Sequence, residues 1–439
     1  MTSDLGGGNT GLLTDQYELT MLRGALHSGV AQRRAVFEVF ARHLPHGRRY
    51  GVVAGIGRLL DAVARFRFGP AELEFLRDTG VADETTLRYL ESYAFGGNIW
   101  GYAEGDCYFP GSPILVVEGT FAEAVVLETL CLSILNHDCA IASAASRMVI
   151  ASGDRPLIEM GSRRTHEMAA VASARAAYIA GFNYTSNLRA GHDYGVPTSG
   201  TAAHAFTLVH DSEREAFSAQ VDSLGASTTL LVDTYDVETA VRTAVEVAGP
   251  SLGAVRIDSG DLLTVARRVR ALLDSLGATK TRIVVSGDLD EYSIAALAAT
   301  PVDGYGVGTS LVIGSGVPTA ALVYKLVARA DEPGDAPLRP VAKRSVGKPG
   351  RPGRKWATRR RDGAGTAVTE LITTTPPDPG PDDRVLLQQL VEDGEIVGRE
   401  PLEAARSRHR EVIAELPAFA LQLSRGYPAV PTVFEPDSD

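Results

Sequence analysis

The sequence predicts an α/β protein organised around a barrel of parallel strands. From Pro156 onward, short apolar runs alternate with segments of helical length, which is typical of successive βα units. Each run ends in small, hydroxyl-bearing or charged residues. In an α/β barrel the carboxyl ends of the strands build the functional site, so the pattern predicts one pocket lined by several strand ends. A doubly wound open sheet is the structural alternative, but it would not gather the ends of seven strands around one pocket.

The barrel is the middle of three predicted parts. Residues 1–155 form an N-terminal α/β domain, 156–328 form the barrel, and 329–439 form a segment that packs back on the N-terminal domain and completes it with strands. A chain of 439 residues exceeds the roughly 150 residues of a single domain. Its 44% hydrophobic and 22% charged residues are ordinary for a globular protein, and a large core is possible at this length.

The N-terminal part begins with a predicted helix over residues 12–30, which Thr14 or Asp15 can cap and which carries Tyr17 in its first turn. Alternating β-branched and aromatic residues predict a strand over Ala35–Phe40. The remaining predicted elements are helices at Ile56–Phe66, Ala71–Arg77 and Asp83–Tyr93, a strand–turn–strand over Trp100–Val117, and a long helical region over Ala122–Arg147.

The barrel part contains seven predicted strands, each followed by a polar cluster. In chain order these are Leu157–Met160 before Gly161–Arg164, Phe182–Thr185 before Ser186 and Asn187, Pro197–Ala203 before His204, Thr229–Val232 before Asp233–Asp236, Ala254–Ile257 before Asp258–Asp261, Ile283–Val285 before Ser286–Asp288, and Tyr305–Val307 before Gly308–Ser310. The predicted helices between them include Ala169–Ile179, Val237–Val247, Leu262–Leu276 and Tyr292–Ala298.

After Lys325 the alternation of strands and helices stops. Pro340–Ser345 is a predicted strand, and Val346–Lys355 is a basic Pro/Gly loop that either lies on the surface or contacts phosphate. Leu402–Glu415 is a predicted charged amphipathic helix. We expect the tail, Pro428–Asp439, to be mobile.

Composition argues against several classes of protein. The net charge of −11 disfavours nucleic acid as a partner, although a local basic patch can still bind phosphate. The chain has 3 cysteines without CxxC spacing, so neither a disulfide framework nor a zinc site is expected. The apolar stretch Phe121–Met148 is interrupted by acidic and polar residues, which indicates a buried helix and no membrane span. We expect a cytoplasmic protein.

The segment Pro197–Phe206, PTSGTAAHAF, has the strongest local signal for chemistry. Thr201 and His204 lie three residues apart among small residues that let a ligand approach the backbone. A histidine in such a setting can act as a base or nucleophile near neutral pH. The alternative is a hydrogen-bonded histidine at the end of a buried strand.

Three further groups indicate a phosphorylated sugar as the substrate. Gly304–Ser310 offers backbone amides and hydroxyls after a late strand, where α/β barrels often bind phosphate. Asp258 and Asp288 can hold ribose hydroxyls or the waters of Mg²⁺, whereas Asp261 can equally cap a helix. Arg163 and Arg256 each need an anion, which either the protein or a substrate could provide.

These motifs together resemble the nicotinate phosphoribosyltransferase family. The matching segments run in order over roughly residues 12–360: LLTDQYELTM from Leu12, FEVFARHLP from Phe37, YFPGSPILVVEG from Tyr108, ILNHDCAIASAASRM from Ile134, EMGSRRTHE from Glu159, GFNYTSNLRAG from Gly181, GVPTSGTAAHAF from Gly195, VDTYD from Val232, VRIDSGD from Val255 and YGVGTSL from Tyr305. The resemblance implies an irregular TIM-like α/β barrel of the type II phosphoribosyltransferase kind.

The implied reaction joins nicotinate to phosphoribosyl pyrophosphate, with Mg²⁺ as cofactor and ATP as co-substrate, in NAD salvage. His204 matches the histidine that ATP transiently phosphorylates. Tyr17, Thr201 and Arg256 match nicotinate-site positions. The phosphate loop matches at Gly306, Gly308 and Thr309.

Other residues complete the expected site. Asp233 is expected to orient His204, and Asp258 to act at the sugar. Arg163, Gly287 and Asp288 are expected to bind substrate. A homodimer with shared active sites is also implied, with Tyr17 serving the neighbouring subunit. Alternatives are nicotinamide or quinolinate phosphoribosyltransferase, or an inactive relative that binds nucleotide or acts structurally.

Overall fold

The fold was analysed in a computed structural model that describes residues 8–343 and 350–435. The chain divides into two compact units, Met1–Ala140 with Thr319–Asp439, and Ile141–Pro318. This division does not decide the predicted domain limits of 1–155, 156–328 and 329–439. Among the residues described, no helix has the length and apolar character that crossing a membrane requires.

The described strands and helices are numbered in chain order. The strands are β1 Arg33–Ala41, β2 Gly51–Val52, β3 Asn98–Tyr102, β4 Cys107–Tyr108, β5 Leu115–Thr120, β6 Leu157–Glu159, β7 Tyr184–Thr185, β8 Thr229–Leu231, β9 Ala254–Ile257, β10 Arg282–Ser286, β11 Gly304–Val307, β12 Leu322–Pro333, β13 Leu338–Pro340, β14 Trp356–Arg361, β15 Ala367–Thr373, β16 Asp383–Val385, β17 Leu387–Glu392, β18 Glu395–Ile396 and β19 Thr432–Phe434. The helices are α1 Gln16–Ser28, α2 Ile56–Ala64, α3 Pro70–Asp78, α4 Glu84–Glu91, α5 Phe121–Val125, α6 Glu128–Ser152, α7 Glu167–Ile179, α8 Leu188–Tyr194, α9 His204–Leu208, α10 Glu213–Leu224, α11 Val237–Ala248, α12 Leu262–Ser275, α13 Glu291–Ala296, α14 Thr309–Val312 and α15 Leu402–Glu415.

The first unit is built on a seven-stranded sheet with the order β13-β12-β1-β5-β3-β17-β18. Its central strand β1 is almost wholly buried and pairs antiparallel with β12 on one side and β5 on the other. Because β12 and β17 come from the C-terminal part of the chain, they confirm the prediction that C-terminal strands complete the N-terminal α/β domain.

The second unit is built on a six-stranded sheet with the order β7-β6-β11-β10-β9-β8. All five of its strand pairs are parallel. The buried strands are short and rich in Val, Leu and Ile, as expected of a parallel sheet that helices cover. This curled sheet confirms the predicted class, an irregular α/β barrel.

Most predicted elements are confirmed within a few residues, and the exceptions have local causes. The predicted strand Pro197–Ala203 forms one parallel bridge, Thr198 to Thr185, and is otherwise irregular. Its Gly and Ala residues have no large side chains to pack on a sheet. The predicted helix Ala122–Arg147 is divided into α5 and α6, and Thr120 caps α5 in a capping box with Glu123. Asp15 stands at the start of α1 without a side-chain capping bond.

The C-terminal expectations were partly wrong. Part of the tail predicted to be mobile is a strand: Thr432–Phe434 forms β19, which pairs in parallel with β15. Residues 436–439 of that tail lie outside the described residues. Lys355, at the end of the predicted basic loop, does not lie on the surface: it is buried, and its Nζ donates to Glu38 Oε2 at 2.8 Å. A strand was predicted over Pro340–Ser345, but the strand found here, β13, spans Leu338–Pro340, and the described residues 341–343 are irregular. The stretch 344–349, which carries part of the predicted strand and basic loop, lies outside the described residues.

Within the first unit, a buried ion cluster joins the C-terminal strands β14 and β15 to the N-terminal segment around Asp106. Arg359 on β14 is fully buried and donates to Asp106 Oδ1 at 2.8 Å, and to Glu370 Oε2 and the Cys107 carbonyl at 2.6 Å each. Tyr102 donates its hydroxyl to the other Glu370 oxygen at 2.8 Å. Burial alone would raise the pKa of Asp106, but Arg359 and a second arginine hold it below its ordinary value.

Arg359→Met should destabilise the protein by about 3–5 kcal/mol, because Glu370 would stay buried without its cation and Asp106 would keep only Arg384. The measurement is the urea and thermal unfolding midpoint of the full chain. Arg360→Met is the matched control, since Arg360 is the next residue of the same strand but is exposed and pairs with Asp383. Equal midpoints for the two variants would show that the buried cluster does not hold the unit together.

Candidate active site

A cavity of about 420 Å³ lies in the second unit, and it is lined mainly by residues at and after the carboxyl ends of the parallel strands. Its lining includes nine predicted site residues: Arg163, Thr201, Arg256, Asp258, Gly287, Asp288, Gly306, Gly308 and Thr309. Parallel strands bring their carboxyl ends to one edge, which explains why residues far apart in sequence meet here. His204 and Asp233 are not among the lining residues, but Ala203, which precedes His204, is one of them.

His204 begins α9, and its Nε2 lies 3.1 Å from Asp233 Oδ1. The His204 side chain is 40% exposed, whereas that of Asp233 is 2% exposed. A buried carboxylate beside one imidazole nitrogen fixes the orientation of the ring and, when Nε2 carries the proton, leaves Nδ1 as the nucleophilic atom. The structure thus brings together the two residues that the sequence paired.

Asp233 is itself held by the neighbouring strand end. Its Oδ2 accepts hydrogen bonds from the backbone N–H of Asp258 at 2.9 Å and from the Ser259 hydroxyl at 2.6 Å. Asp236, the other acidic residue of VDTYD, instead caps α11 by accepting from Thr239 N at 2.9 Å. A single carboxylate therefore contacts both the histidine and the backbone of the predicted sugar-binding residue.

Arg256 and Thr201 lie in direct contact, with Arg256 Nη1 donating to the Thr201 hydroxyl. Within the described part of the chain, Arg256 Nε is buried without a hydrogen-bond partner. Burial lowers the pKa of Arg256, and the nearby Asp258 and Asp233 offset this only in part. Burying a guanidinium with an unused donor costs free energy, and an anion bound in the cavity beside Arg256 would offset that cost.

The two predicted sugar-binding carboxylates occupy adjacent strand ends. Asp258 Oδ1 accepts the Ser286 hydroxyl at 2.5 Å. Gly287 has φ +103°, and a Cβ there would lie 2.4 Å from the Asp258 carbonyl oxygen, so a side chain could not be accommodated. Asp288 follows with φ 36°, a left-handed backbone that is uncommon outside glycine. Asp261, by contrast, caps α12: its carboxylate accepts the Thr264 hydroxyl at 2.7 Å.

The predicted phosphate loop follows β11. A Cβ at Gly306 would lie 2.7 Å from Met160 Sδ on the neighbouring strand end, so glycine allows this close packing. Thr309 begins the four-residue helix α14 immediately after Gly308, and both residues line the cavity. Bare backbone and a hydroxyl therefore face the same cavity as Asp258 and Asp288.

Tyr17 belongs to the first unit, where it lies in α1. Burial and the nearby Glu128 and Glu18 raise the pKa of Tyr17 to about 12. Its side chain is nevertheless 47% exposed. Glu18 is fully buried and accepts from Thr129 N at 2.9 Å, which ties the first turn of α1 to the start of α6.

Three side chains that support the site were missed by sequence reasoning. Ser259 and Ser286 hold Asp233 and Asp258. Glu159 is fully buried, and accepts the Thr185 hydroxyl and the Gly161 N–H at 2.5 Å each. Burial raises the pKa of Glu159, and these two donors counter that effect. An ionisable residue at the end of an apolar run was the available signal for Glu159.

The fold and cavity define a class of protein, the irregular α/β barrels whose candidate site lies at the carboxyl ends of the strands. A family model for the nicotinate phosphoribosyltransferase N-terminal domain matches residues 12–136, and one for the quinolinate phosphoribosyl transferase C-terminal domain matches residues 141–315.

Individual relatives specify the family. The chain is 59% identical to nicotinate phosphoribosyltransferase pncB1 of Mycobacterium tuberculosis, over 96% of this chain and 94% of the relative. It is 36% identical to nicotinate phosphoribosyltransferase of Bacillus subtilis, over 72% of this chain and 66% of that one. The crystal structure of human nicotinic acid phosphoribosyltransferase superposes with a TM-score of 0.83 at 25% identity, covering 96% of this chain and 97% of the human one. The chain belongs to the nicotinate phosphoribosyltransferase family.

Arg256→Ala should weaken nicotinate binding about 10–100-fold, the loss of one or two charge-assisted hydrogen bonds. Isothermal titration with nicotinate measures the change. Arg282→Ala is the control, because Arg282 is an exposed arginine at the start of β10, whereas the cavity lies at the other end of that strand. An unchanged nicotinate affinity in Arg256→Ala would mean that Arg256 only positions Asp258 and Asp233.

Proposed function

We propose that this protein joins nicotinate to phosphoribosyl pyrophosphate, giving nicotinate mononucleotide and pyrophosphate in NAD salvage, with ATP hydrolysis coupled through a phosphohistidine. The observation that carries the proposal is the cavity itself. It combines an arginine whose buried Nε has no hydrogen-bond partner among the described residues, two carboxylates on adjacent strand ends, and a glycine-rich loop that ends in Thr309. Family membership supports the same reaction.

Nicotinate is proposed to bind with its carboxylate on Arg256 and the Thr201 hydroxyl. The ribose hydroxyls then lie against Asp258 and Asp288, and the 5-phosphate lies on the loop Gly306–Thr309, with Arg163 on the wall. The ring nitrogen of nicotinate forms its bond to C1 of the ribose as the bond from C1 to pyrophosphate breaks. Positive charge develops on the sugar in that transition state, and the two carboxylates stabilise it.

Mg²⁺ is proposed as the cofactor that neutralises the leaving pyrophosphate. Among the described residues, no group of three His, Cys, Asp or Glu side chains could hold a metal ion. Mg²⁺ commonly keeps several waters and binds through substrate phosphates with one or two carboxylates. Asp258 and Asp288 fit that mode, since they line the cavity on neighbouring strand ends.

His204 is proposed to attack the γ-phosphate of ATP through Nδ1 while Nε2 stays bonded to Asp233. The Nδ1–phosphorus bond forms as the bond to ADP breaks, and later hydrolysis releases phosphate and restores the free imidazole. ATP atoms do not enter the nucleotide product. The cleavage of ATP contributes free energy that favours nucleotide formation.

A homodimer is proposed from the exposed apolar face of α1. Tyr17 and Met21, one turn apart on α1, are 47% and 37% exposed, and Leu13, just before the helix, is 52% exposed. Large hydrophobic residues exposed together in this way mark an interaction surface. A second copy of the chain would cover this face, and Tyr17 would serve the active site of that copy. We further propose that the protein acts in the cytoplasm.

Product analysis tests the reaction directly. The protein is incubated with phosphoribosyl pyrophosphate and either nicotinate, nicotinamide or quinolinate, with and without ATP. We expect nucleotide from nicotinate, because nicotinamide lacks the carboxylate that Arg256 requires. Quinolinate has a second carboxylate, and nucleotide from it alone would assign the chain to that activity. No nucleotide from any of the three would rule out the enzyme.

His204→Ala should abolish both ATP hydrolysis and the acid-labile, base-stable label that γ-labelled ATP leaves on the protein, while a slower ATP-independent transfer survives. The control is His192→Ala, since His192 is an exposed histidine that also contacts a carboxylate, Asp193 Oδ1 at 2.7 Å. Label that persists in His204→Ala would place the phosphate on another residue.

A further inference from the structure

A buried charged group of the second unit lies outside the cavity lining yet contacts two of its loops. Glu291 is the first residue of α13 and is 3% exposed. Its Oε1 accepts Arg147 Nε of α6 at 3.0 Å, and its Oε2 accepts the Ser315 hydroxyl at 2.7 Å. Arg147 is 8% exposed, and its Nη2 also donates to the Tyr292 hydroxyl at 3.3 Å.

Each partner of Glu291 belongs to an element that carries or anchors the site. Glu291 stands three residues after Asp288, at the end of the loop that follows β10. Ser315 has φ 53° and closes the loop after α14, with its N–H bonded to the Ser310 carbonyl at 2.7 Å. Since α14 begins at Thr309, the Ser315 contact restrains the phosphate loop. Arg147 ties Glu291 and Tyr292, at the start of α13, to the long helix α6.

We propose that Glu291 is a positioning residue, which, with Ser315 and Arg147, fixes the distance between the sugar loop at Asp288 and the phosphate loop at Thr309. This inference rests on the proposed function, because it assigns those loops to phosphoribosyl pyrophosphate. One rigid substrate portion, ribose 5-phosphate, must touch both loops at once. A fixed spacing between the loops removes the cost of ordering them when substrate binds.

The network of Arg147, Glu291 and Ser315 is expected to contribute little to the free energy of unfolding. A buried ion pair roughly balances its own desolvation cost, and an apolar group of equal size would often serve as well. Ser315 holds a left-handed backbone that is itself unfavourable for a serine. Glu291 is not among the residues that line the cavity, so we expect it to act on the substrate through the two loops.

Ser315→Ala is the mild test, because it removes one hydroxyl and leaves the Arg147–Glu291 pair intact. We expect the KM and the calorimetric Kd for phosphoribosyl pyrophosphate to rise about tenfold, the size of one hydrogen bond to a charged group. The nicotinate KM and kcat should change less than about twofold, since Arg256 lies on β9 and Thr201 lies in the segment before α9. Ser275→Ala is the control: its hydroxyl donates to a backbone carbonyl at 2.7 Å at the far end of α12.

A double-mutant cycle tests whether the serine acts through Glu291. The effect of Ser315→Ala on the Kd for phosphoribosyl pyrophosphate should largely disappear in a Glu291→Gln background. If the wild-type protein binds phosphoribosyl pyrophosphate and Ser315→Ala leaves the Kd unchanged, the positioning role alone is overturned. Wild type that binds no phosphoribosyl pyrophosphate would overturn the proposed function and this inference together.

Discussion

The parallel register of β6, β11, β10 and β9 determines where the site residues of the second unit stand. Ser286 pairs with Gly306, Val285 pairs with Ile257, and Val307 pairs with Glu159. The residues that follow these pairs, Asp258, Gly287, Gly308 and Met160, all line one cavity. A slip of one residue would turn each side chain to the opposite face of its strand, so the hydrogen-bond ladder is the constraint on which the chemistry depends.

Hydrogen bonds between the strand ends then orient the side chains that the parallel register brings together. Asp233 contacts His204 with one oxygen and the Asp258–Ser259 turn with the other. A change of charge on the imidazole therefore acts on Asp233, and Asp233 is hydrogen-bonded directly to the backbone N–H of Asp258. The proposed phosphorylation of His204 and the proposed sugar site thus share a carboxylate, which gives ATP cleavage a short physical route to the transfer step.

Much of this arrangement could be predicted from sequence, because its signals are local. The apolar runs and their polar ends gave β9 with the correct bounds and placed Asp258, Asp288 and Thr309 at strand ends. Ser259, Ser286 and Glu291 could not be found in that way. Their partners lie on other strands or helices, and a serine after a strand or a glutamate at a helix start has ordinary local explanations. Likewise β19 is too short to be recognised without its partner β15.

The interleaved first unit has a consequence for synthesis on the ribosome. Its central strand β1 pairs with β12, and the intervening residues include the whole of the unit Ile141–Pro318. The first 140 residues thus emerge with unpaired strand edges and must wait for nearly the whole chain, whereas the second unit is contiguous and can fold as it appears. A strand edge that stays unpaired this long can pair with the edges of other chains until β12 has been made.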